Sequence, residues 1–242
     1  DGGVRLLGVP TVIDRMVQQA VAQVLMPIFE RTFSDSSYGF RPGRSARMAI
    51  QKARDLYNDG YRYVVDLDLS KYFDTINHEL LLNMIREEVH DKAVIQLIKH
   101  FLKSGVMVNG ILTATDMGSP QGGPLSPLLS NIYLTKFDRE MEKRGHKFVR
   151  YADDVNVYVR SYRSAQRVMT SCKHYLETKL KLKVNETKSK AGSPLKLKFL
   201  GFSLRSTTAG QASIRIHEKS IDRFKMKIRE LLKRNQGQIG RA

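Results

Sequence analysis

The chain holds a single cysteine, Cys172, in 242 residues. No disulfide can form within it, which excludes a disulfide-stapled secreted scaffold and suits a reducing compartment. Cys172 lies at helical spacing with Val168, Met169, Tyr175 and Leu176, the setting of a small buried core residue. No apolar run approaches the ~20 residues that cross a bilayer, so a membrane span is not expected. The histidines His78, His90, His100, His146, His174 and His217 are scattered, and none has zinc spacing or a cysteine partner. The stretch Gly118-Ser119-Pro120-Gln121-Gly122-Gly123-Pro124 is glycine-rich but is not followed by Gly-Lys-Ser/Thr, which excludes a P-loop. There is no internal repeat. The first residue is Asp1, so the lack of a signal-peptide pattern leaves any leader open; a cytoplasmic location is the expectation.

Acids are scarce. Lys and Arg number 41 against 24 Asp and Glu, a formal net charge of +17. Such self-repulsion is offset when a polyanion binds, and nucleic acid is the first partner to consider. Hydrophobic residues make up 41% of the chain and charged residues 27%, which suits a folded domain with a real core.

Apolar periodicity and capping residues give a coarse map. Val4 to Pro10 reads as a short strand. Thr11 caps a helix whose apolar positions are Ile13, Met16, Val17, Ala20, Val21, Val24, Leu25 and Ile28. Ser34 to Arg44 is a loop, and Ser45 opens a helix to about Asn58. Tyr61 to Leu69 is a buried strand. Asn77 and Asp91 cap two further helices. Residues 105–116 form a hairpin around Asn109-Gly110, and Ser126 begins a long helix to Arg144. Phe148 to Arg160 reads as strand, tight turn and strand, broken only at Ala152-Asp153-Asp154. A helix from Ser164 to Lys179, a hairpin of Lys198–Leu204 and Ala212–Ile216, and a basic helix from Ser220 complete the map. Unequal helical excursions between strands imply an α+β fold with a mostly antiparallel sheet packed on helices.

Two segments place carboxylates among apolar neighbours. In Val64-Val65-Asp66-Leu67-Asp68-Leu69, strand geometry puts Asp66 and Asp68 on one face. In Tyr151-Ala152-Asp153-Asp154-Val155, two acids share a turn. Desolvated carboxylates repel, and each costs several kcal/mol to bury without compensation. Hard oxygen donors of this kind call for Mg²⁺, with Mn²⁺ as the substitute, and a pair of such ions is a known solution to phosphoryl transfer. The plainer alternative is a solvated acidic turn with Arg150 and Arg160 as ion-pair partners.

Tyr151-Ala152-Asp153-Asp154 resembles the active-site box of reverse transcriptases, and Asp68-Leu69-Ser70-Lys71-Tyr72-Phe73-Asp74 resembles their other catalytic aspartate segment. The details are most similar to group II intron-encoded reverse transcriptases, or maturases. They are Leu7-Gly8-Val9-Pro10-Thr11, Ser37-Tyr38-Gly39-Phe40-Arg41-Pro42-Gly43-Arg44-Ser45, Phe73-Asp74-Thr75-Ile76-Asn77-His78 and Pro120-Gln121-Gly122-Gly123-Pro124-Leu125-Ser126-Pro127-Leu128-Leu129-Ser130-Asn131-Ile132. The likeness runs in order over nearly the whole chain.

The resemblance implies a right-hand polymerase with fingers and palm. Residues 1–60 would be part of the fingers. Residues 61–104 would be palm with the first catalytic strand. Residues 105–130 would join fingers and palm through a hairpin and loop. Residues 131–217 would be palm with the acidic turn and a primer-grip-like hairpin, and 218–242 a basic helix leading toward a thumb. It implies Asp68, Asp153 and Asp154 as catalytic metal ligands assisted by the Leu69 carbonyl, with Mg²⁺ as cofactor. Arg5, Lys71, Tyr72, Phe73, Gln121 and Lys188 would meet the incoming nucleotide, Phe73 by crowding the sugar 2′ carbon. Phe199, Leu200 and Gly201 would grip the primer.

The implied partners are an RNA template, a DNA or RNA primer, a deoxynucleoside triphosphate and structured intron RNA. Arg41, Arg44 and Arg47 are the expected RNA-binding face. The family pattern has Pro where Leu6 stands, and its N-terminal extension and thumb are not recognised here, so weak activity of this piece alone is the expectation. A splicing cofactor acting by binding, and a retron-type reverse transcriptase, stay open, as do monomer and dimer.

Overall fold

The computed structural model describes residues 10–104, 106–108, 111–113, 117–118, 122–207 and 210–232. The expected strand at Val4 to Pro10, apart from Pro10 itself, and the Asn109-Gly110 turn lie outside them. Side-chain caps start most of the helices. Thr11 accepts from the Asp14 amide at the head of α1 (Val12–Glu30). Ser45 accepts from the Met48 amide before α2 (Ala46–Asn58). Asn77 caps α4 (His78–Arg86) and Asp91 caps α5 (Lys92–Lys103). Each cap satisfies an amide that the first helical turn leaves without a partner. Ser161, three residues earlier than expected, caps α7 (Tyr162–Thr178), and His217 caps α8 (Glu218–Leu231). A single turn, α3 (Tyr72–Thr75), and the long α6 (Ser126–Lys143) complete the helices of the described residues.

The main sheet has the order β4-β5-β1-β6, every pair antiparallel: β4 (Lys147–Tyr151), β5 (Asp154–Val159), β1 (Tyr63–Leu67) and β6 (Lys190–Gly192). Two-stranded ribbons are formed by β2 (Val106–Val108) with β3 (Ile111–Thr113), and by β7 (Phe202–Ser206) with β8 (Ala212–Ile216). The main sheet is buried on both faces. Val65 and Leu67 join Val155 and Val157 in a large core with Leu82 and Ile85 of α4, Ile98 of α5, Tyr133 and Phe137 of α6 and Cys172 of α7. On the other face Val64, Val149 and Tyr158 pack with Ala49, Ile50 and Ala53 of α2 and with Leu204 and Ala212 of the β7–β8 ribbon. Alternation along β1 therefore puts Asp66 on the α2 face with Val64.

Three expectations change. The helix α1 buries Gln18, Ala22, Leu25 and Phe29, while Val12, Ile13, Met16, Val17 and Val24 are exposed. The expected strand from Lys198 starts only at Phe202, because Leu200 and Gly201 have φ of 50° and 87° and make a tight turn. That turn is closed by Phe199 and Phe202, which exchange backbone hydrogen bonds at 2.9 and 2.8 Å. Arg41 is not on an RNA-facing surface. It is 8% exposed, lies over the Phe33 ring, pairs with Glu30 at 2.7 Å and donates to the Ser34 and Ser37 carbonyls.

Arg41 thus serves the 34–41 loop by satisfying carbonyls that water does not reach. Arg41→Ala is expected to destabilise the fold by about 2 kcal/mol through those orphaned acceptors. Thermal melting checks this, with RNA affinity of the folded variant staying near wild type.

Candidate active site

The acids expected from sequence meet at one end of the main sheet. Asp68 follows the last residue of the central strand β1, and the tight turn between β4 and β5 carries Asp153, with Asp154 opening β5. β1 and β5 are direct neighbours, with Leu67 paired to Val155. Segments far apart in sequence are thereby laid side by side. Asp66 sits one pleat further in, opposite Asn156. The Asn156 amide, oriented to satisfy both its neighbours, donates to Asp66 Oδ1 at 2.8 Å.

Asp68 is anchored from behind. Its amide donates to Ser189 Oγ at 3.0 Å, and its carbonyl accepts from the Asn185 amide at 2.8 Å. The Ser70 amide donates to the Lys183 carbonyl at 2.8 Å. These bonds close a bridge between Leu69 and Val184 through the residues on either side of Leu69. The Leu69 carbonyl takes no part in that bridge.

Crowding of the acids shows in their protonation. Burial, then the charges of Asp154 and Asp68, push Asp66 up to about 7, with Lys190 opposing. Burial, then Asp153 and Asp68, raise Asp154 to about 6. Asp154 remains solvent-exposed, so water softens its shift; Asp66 is the carboxyl held more firmly toward its neutral form. Among the described residues no three His, Cys, Asp or Glu side chains already stand around one point as ligands. The donor chemistry nonetheless fits a hard divalent cation: carboxylates at the ends of adjacent strands, two of them, Asp66 and Asp154, raised by burial and by the charges of their neighbours. Asp68, Asp153, Asp154 and the Leu69 carbonyl are the groups that would hold it.

The other expected residues lie on several different elements. Lys71 is exposed and adopts φ 48°, the left-handed conformation that starts α3. Tyr72 is buried, and its hydroxyl donates to the Ser130 carbonyl at 3.0 Å. Phe73 is half-buried against the large core, edge-on to Tyr72 with ring centroids 5.2 Å apart. Lys188 follows Asn185, whose side chain accepts from the Thr187 and Lys188 amides. Phe199 is buried on the α2 face of the sheet, and the Gly201 carbonyl accepts from the His217 amide and the Ser220 hydroxyl. Arg44 pairs with Asp35 and lies over the Tyr38 ring, while Arg47 is exposed on α2. Arg5 and Gln121 lie outside the described residues.

The alternative of an acidic turn paired to Arg150 loses that partner to Asp138. Arg150 is fully buried and binds Asp138 of α6 at 2.6 Å, and Arg160 lies over the Tyr61 ring. Sequence reasoning passed over Asp138, although an acid on the apolar stripe of Leu134, Phe137 and Met141 was a visible signal.

Residues 1–204 match the family described as reverse transcriptase (RNA-dependent DNA polymerase). The chain belongs to this family. It is 33% identical to Protein YkfC of Escherichia coli (strain K12), covering 78% of this chain and 60% of that protein. It is 32% identical to the group II intron-encoded protein LtrA of Lactococcus lactis subsp. cremoris, covering 85% of this chain and 45% of that protein. The chain therefore spans about half the length of these curated relatives. Among solved structures, telomerase from Candida tropicalis in complex with a fragment of telomeric RNA matches with a TM-score of 0.62 at 15% identity, covering 84% of this chain and 38% of that one. Telomerase from Candida albicans matches with a TM-score of 0.60 at 13% identity, over 91% and 42%. The shared fold is the α+β fingers-and-palm arrangement of a right-hand polymerase.

The raised pKa of Asp66 has a stability consequence in metal-free protein. A carboxyl that holds its proton more tightly folded than unfolded makes the fold less stable as pH rises from about 4 toward 7. Asp66→Asn removes that penalty. In the presence of a chelator it is expected to raise the melting temperature at pH 8 and to change it little below about pH 4, where the carboxyl is protonated in the folded and unfolded chain alike, as calorimetry at the two pH values will read.

Proposed function

We propose that this chain is the fingers-and-palm part of an RNA-directed DNA polymerase of the group II intron maturase type. The observation that supports this most directly is that adjacent strands β1 and β5 bring Asp68 near enough to Asp154, with Asp153 beside it, for its charge to act on that carboxyl. The substrates are a primer 3′-hydroxyl on an RNA template and a deoxynucleoside triphosphate. Bound at Asp68, Asp153 and Asp154, Mg²⁺ supplies charge neutralisation at the attacking and leaving oxygens.

The chain's own contribution is positioning. Antiparallel pairing of β1 with β5 holds the carboxylates at fixed spacing. The tight turn at Lys71 presents the backbone of Lys71 and Tyr72 to the nucleotide phosphates. Phe73, backed by the edge of Tyr72, crowds the 2′ position and rejects a ribose by clash. Lys188 would act at the phosphate end of the nucleotide, and Phe199 to Gly201 would hold the primer strand.

A second role rests on another observation. No residue of α8 is buried, and it carries Lys219, Arg223, Lys225, Lys227 and Arg229 into solvent. A basic helix so exposed suits the grip on structured intron RNA that a splicing cofactor needs. With Arg44 and Arg47 it forms the proposed RNA-binding surface. Polymerase and splicing roles are compatible on one chain, and a cytoplasmic location suits both. Among the described residues no helix is long and apolar enough to cross a membrane.

Asp153→Asn is expected to lower primer extension at least about a thousandfold, since it removes charge stabilisation where the transition state needs it. RNA affinity should stay within a few-fold; equal loss of both in a filter-binding and extension comparison refutes the assignment. Phe73→Val is expected to admit ribonucleotides, raising the ratio of ribo- to deoxynucleotide incorporation at least about tenfold. Competition assays on one template read that ratio directly.

A further inference from the structure

The turn that carries Asp153 is built on a strained residue. Ala152 has φ 57°, a left-handed conformation that L-residues rarely adopt. It is also packed from one side without clearance. A Cβ placed on Gly39 would come within 2.3 Å of the Ala152 nitrogen, so only glycine fits at position 39. Such a turn persists where its surroundings over-determine it.

Those surroundings are a buried polar network centred on Arg150. Its Nε donates to both Asp138 carboxylate oxygens, at 2.8 and 3.0 Å, and its Nη2 donates to Asp138 Oδ2 at 2.6 Å. Nη1 is left for two other acceptors, Asn131 Oδ1 and the Ala152 carbonyl, each at 2.9 Å. Asn131 Nδ2 then donates to the Gly39 carbonyl at 2.8 Å. Arg150, Asp138 and Asn131 are all fully buried. Arg150 also ties in the 34–41 loop through its backbone: its amide donates to the Ser36 carbonyl, and its carbonyl accepts from the Tyr38 amide, both at 2.8 Å. The network thus closes a ring. One arm reaches the carbonyl of Ala152, and the other reaches the glycine that presses on the nitrogen of Ala152.

We propose that Arg150, oriented by Asp138, and Asn131 are positioning residues for the acidic turn. They hold Ala152 in its left-handed conformation and thereby set the Asp153 and Asp154 carboxylates for a divalent cation. The inference rests on the proposed polymerase site. A purely structural ion pair predicts something different. Replacing a buried pair by apolar side chains of similar volume is often neutral for stability, whereas removing one partner leaves a buried charge unpaired and is strongly destabilising. The fold can therefore survive loss of the pair while the turn loses its clamp.

The test compares wild type with Asp138→Leu/Arg150→Met and with Asn131→Ala, each first checked by thermal melting. Asn131→Ala leaves the ion pair intact and serves if the double variant fails to fold. Two quantities are measured: Mn²⁺ affinity by electron paramagnetic resonance, and hydrogen exchange of residues 150–155 in metal-free protein. The expected result is a folded variant with Mn²⁺ affinity reduced about 10- to 100-fold and faster exchange confined to the turn. A folded variant with wild-type Mn²⁺ affinity and wild-type exchange overturns the proposal. If wild type itself holds no Mn²⁺, the metal-site reading fails; faster turn exchange in the variants then still supports positioning of the turn, and unchanged exchange sinks both.

Discussion

Repulsion among carboxylates at the end of one sheet is the constraint around which this molecule is arranged. Burial and neighbouring charge drive Asp66 to about 7 and Asp154 to about 6, so the cluster is unfavourable in the metal-free fold. It exists because the rest of the sheet is strong enough to impose it. β1 is paired on both edges and buried on both faces, and its hydrophobic residues hold Asp66 and Asp68 where isolated side chains would move apart. A divalent cation at the proposed site would relieve the same repulsion that the fold creates.

Much of this was legible in the sequence, for identifiable reasons. Period-two alternation in Val64 to Leu69 put Asp66 and Asp68 on one face, and the structure has that pairing. The caps Thr11, Ser45, Asn77 and Asp91 announced their helices because a side-chain acceptor next to an apolar periodic run has few other uses. What stayed hidden depended on tertiary partners. Lys190–Gly192 has no alternation and becomes a strand only because β1 offers it an edge. The apolar positions of α1 were read as one core stripe, yet the buried face follows Gln18, Ala22, Leu25 and Phe29. Arg41 looked like a surface cation since nothing in its spacing reveals Glu30 or the Ser34 and Ser37 carbonyls as its partners.

The two buried arginines correct a habit of reading charge as surface. With a formal net charge of +17, every Arg invites assignment to the nucleic-acid face. Arg41 and Arg150 instead spend their donors on backbone carbonyls and on one acid each. Guanidinium suits this use because its planar fork can satisfy several fixed acceptors at once. Exposed cations available to a polyanion lie elsewhere, among them Arg47 on α2 and Lys219, Arg223, Lys225, Lys227 and Arg229 along α8.

Strain is distributed in the same pattern. Among the described residues the non-glycine positions with positive φ are Phe40, Lys71, Ala152, Lys181 and Leu200. Lys71 opens the turn proposed to meet nucleotide phosphates, Ala152 shapes the acidic turn, and Leu200 makes the turn proposed to hold the primer. Phe40, beside the close approach of Gly39, has its ring 6.4 Å from that of Tyr151, at the end of the strand leading into the acidic turn. Each left-handed residue reverses the backbone within one step and so aims amides or carboxylates that a regular strand or helix would leave pointing sideways. Glycine would adopt these angles with less strain but would also widen the unfolded ensemble and loosen the turn. An L-residue held in place by buried neighbours is costlier to form and stiffer once formed, and stiffness is what positioning a phosphoryl-transfer site demands.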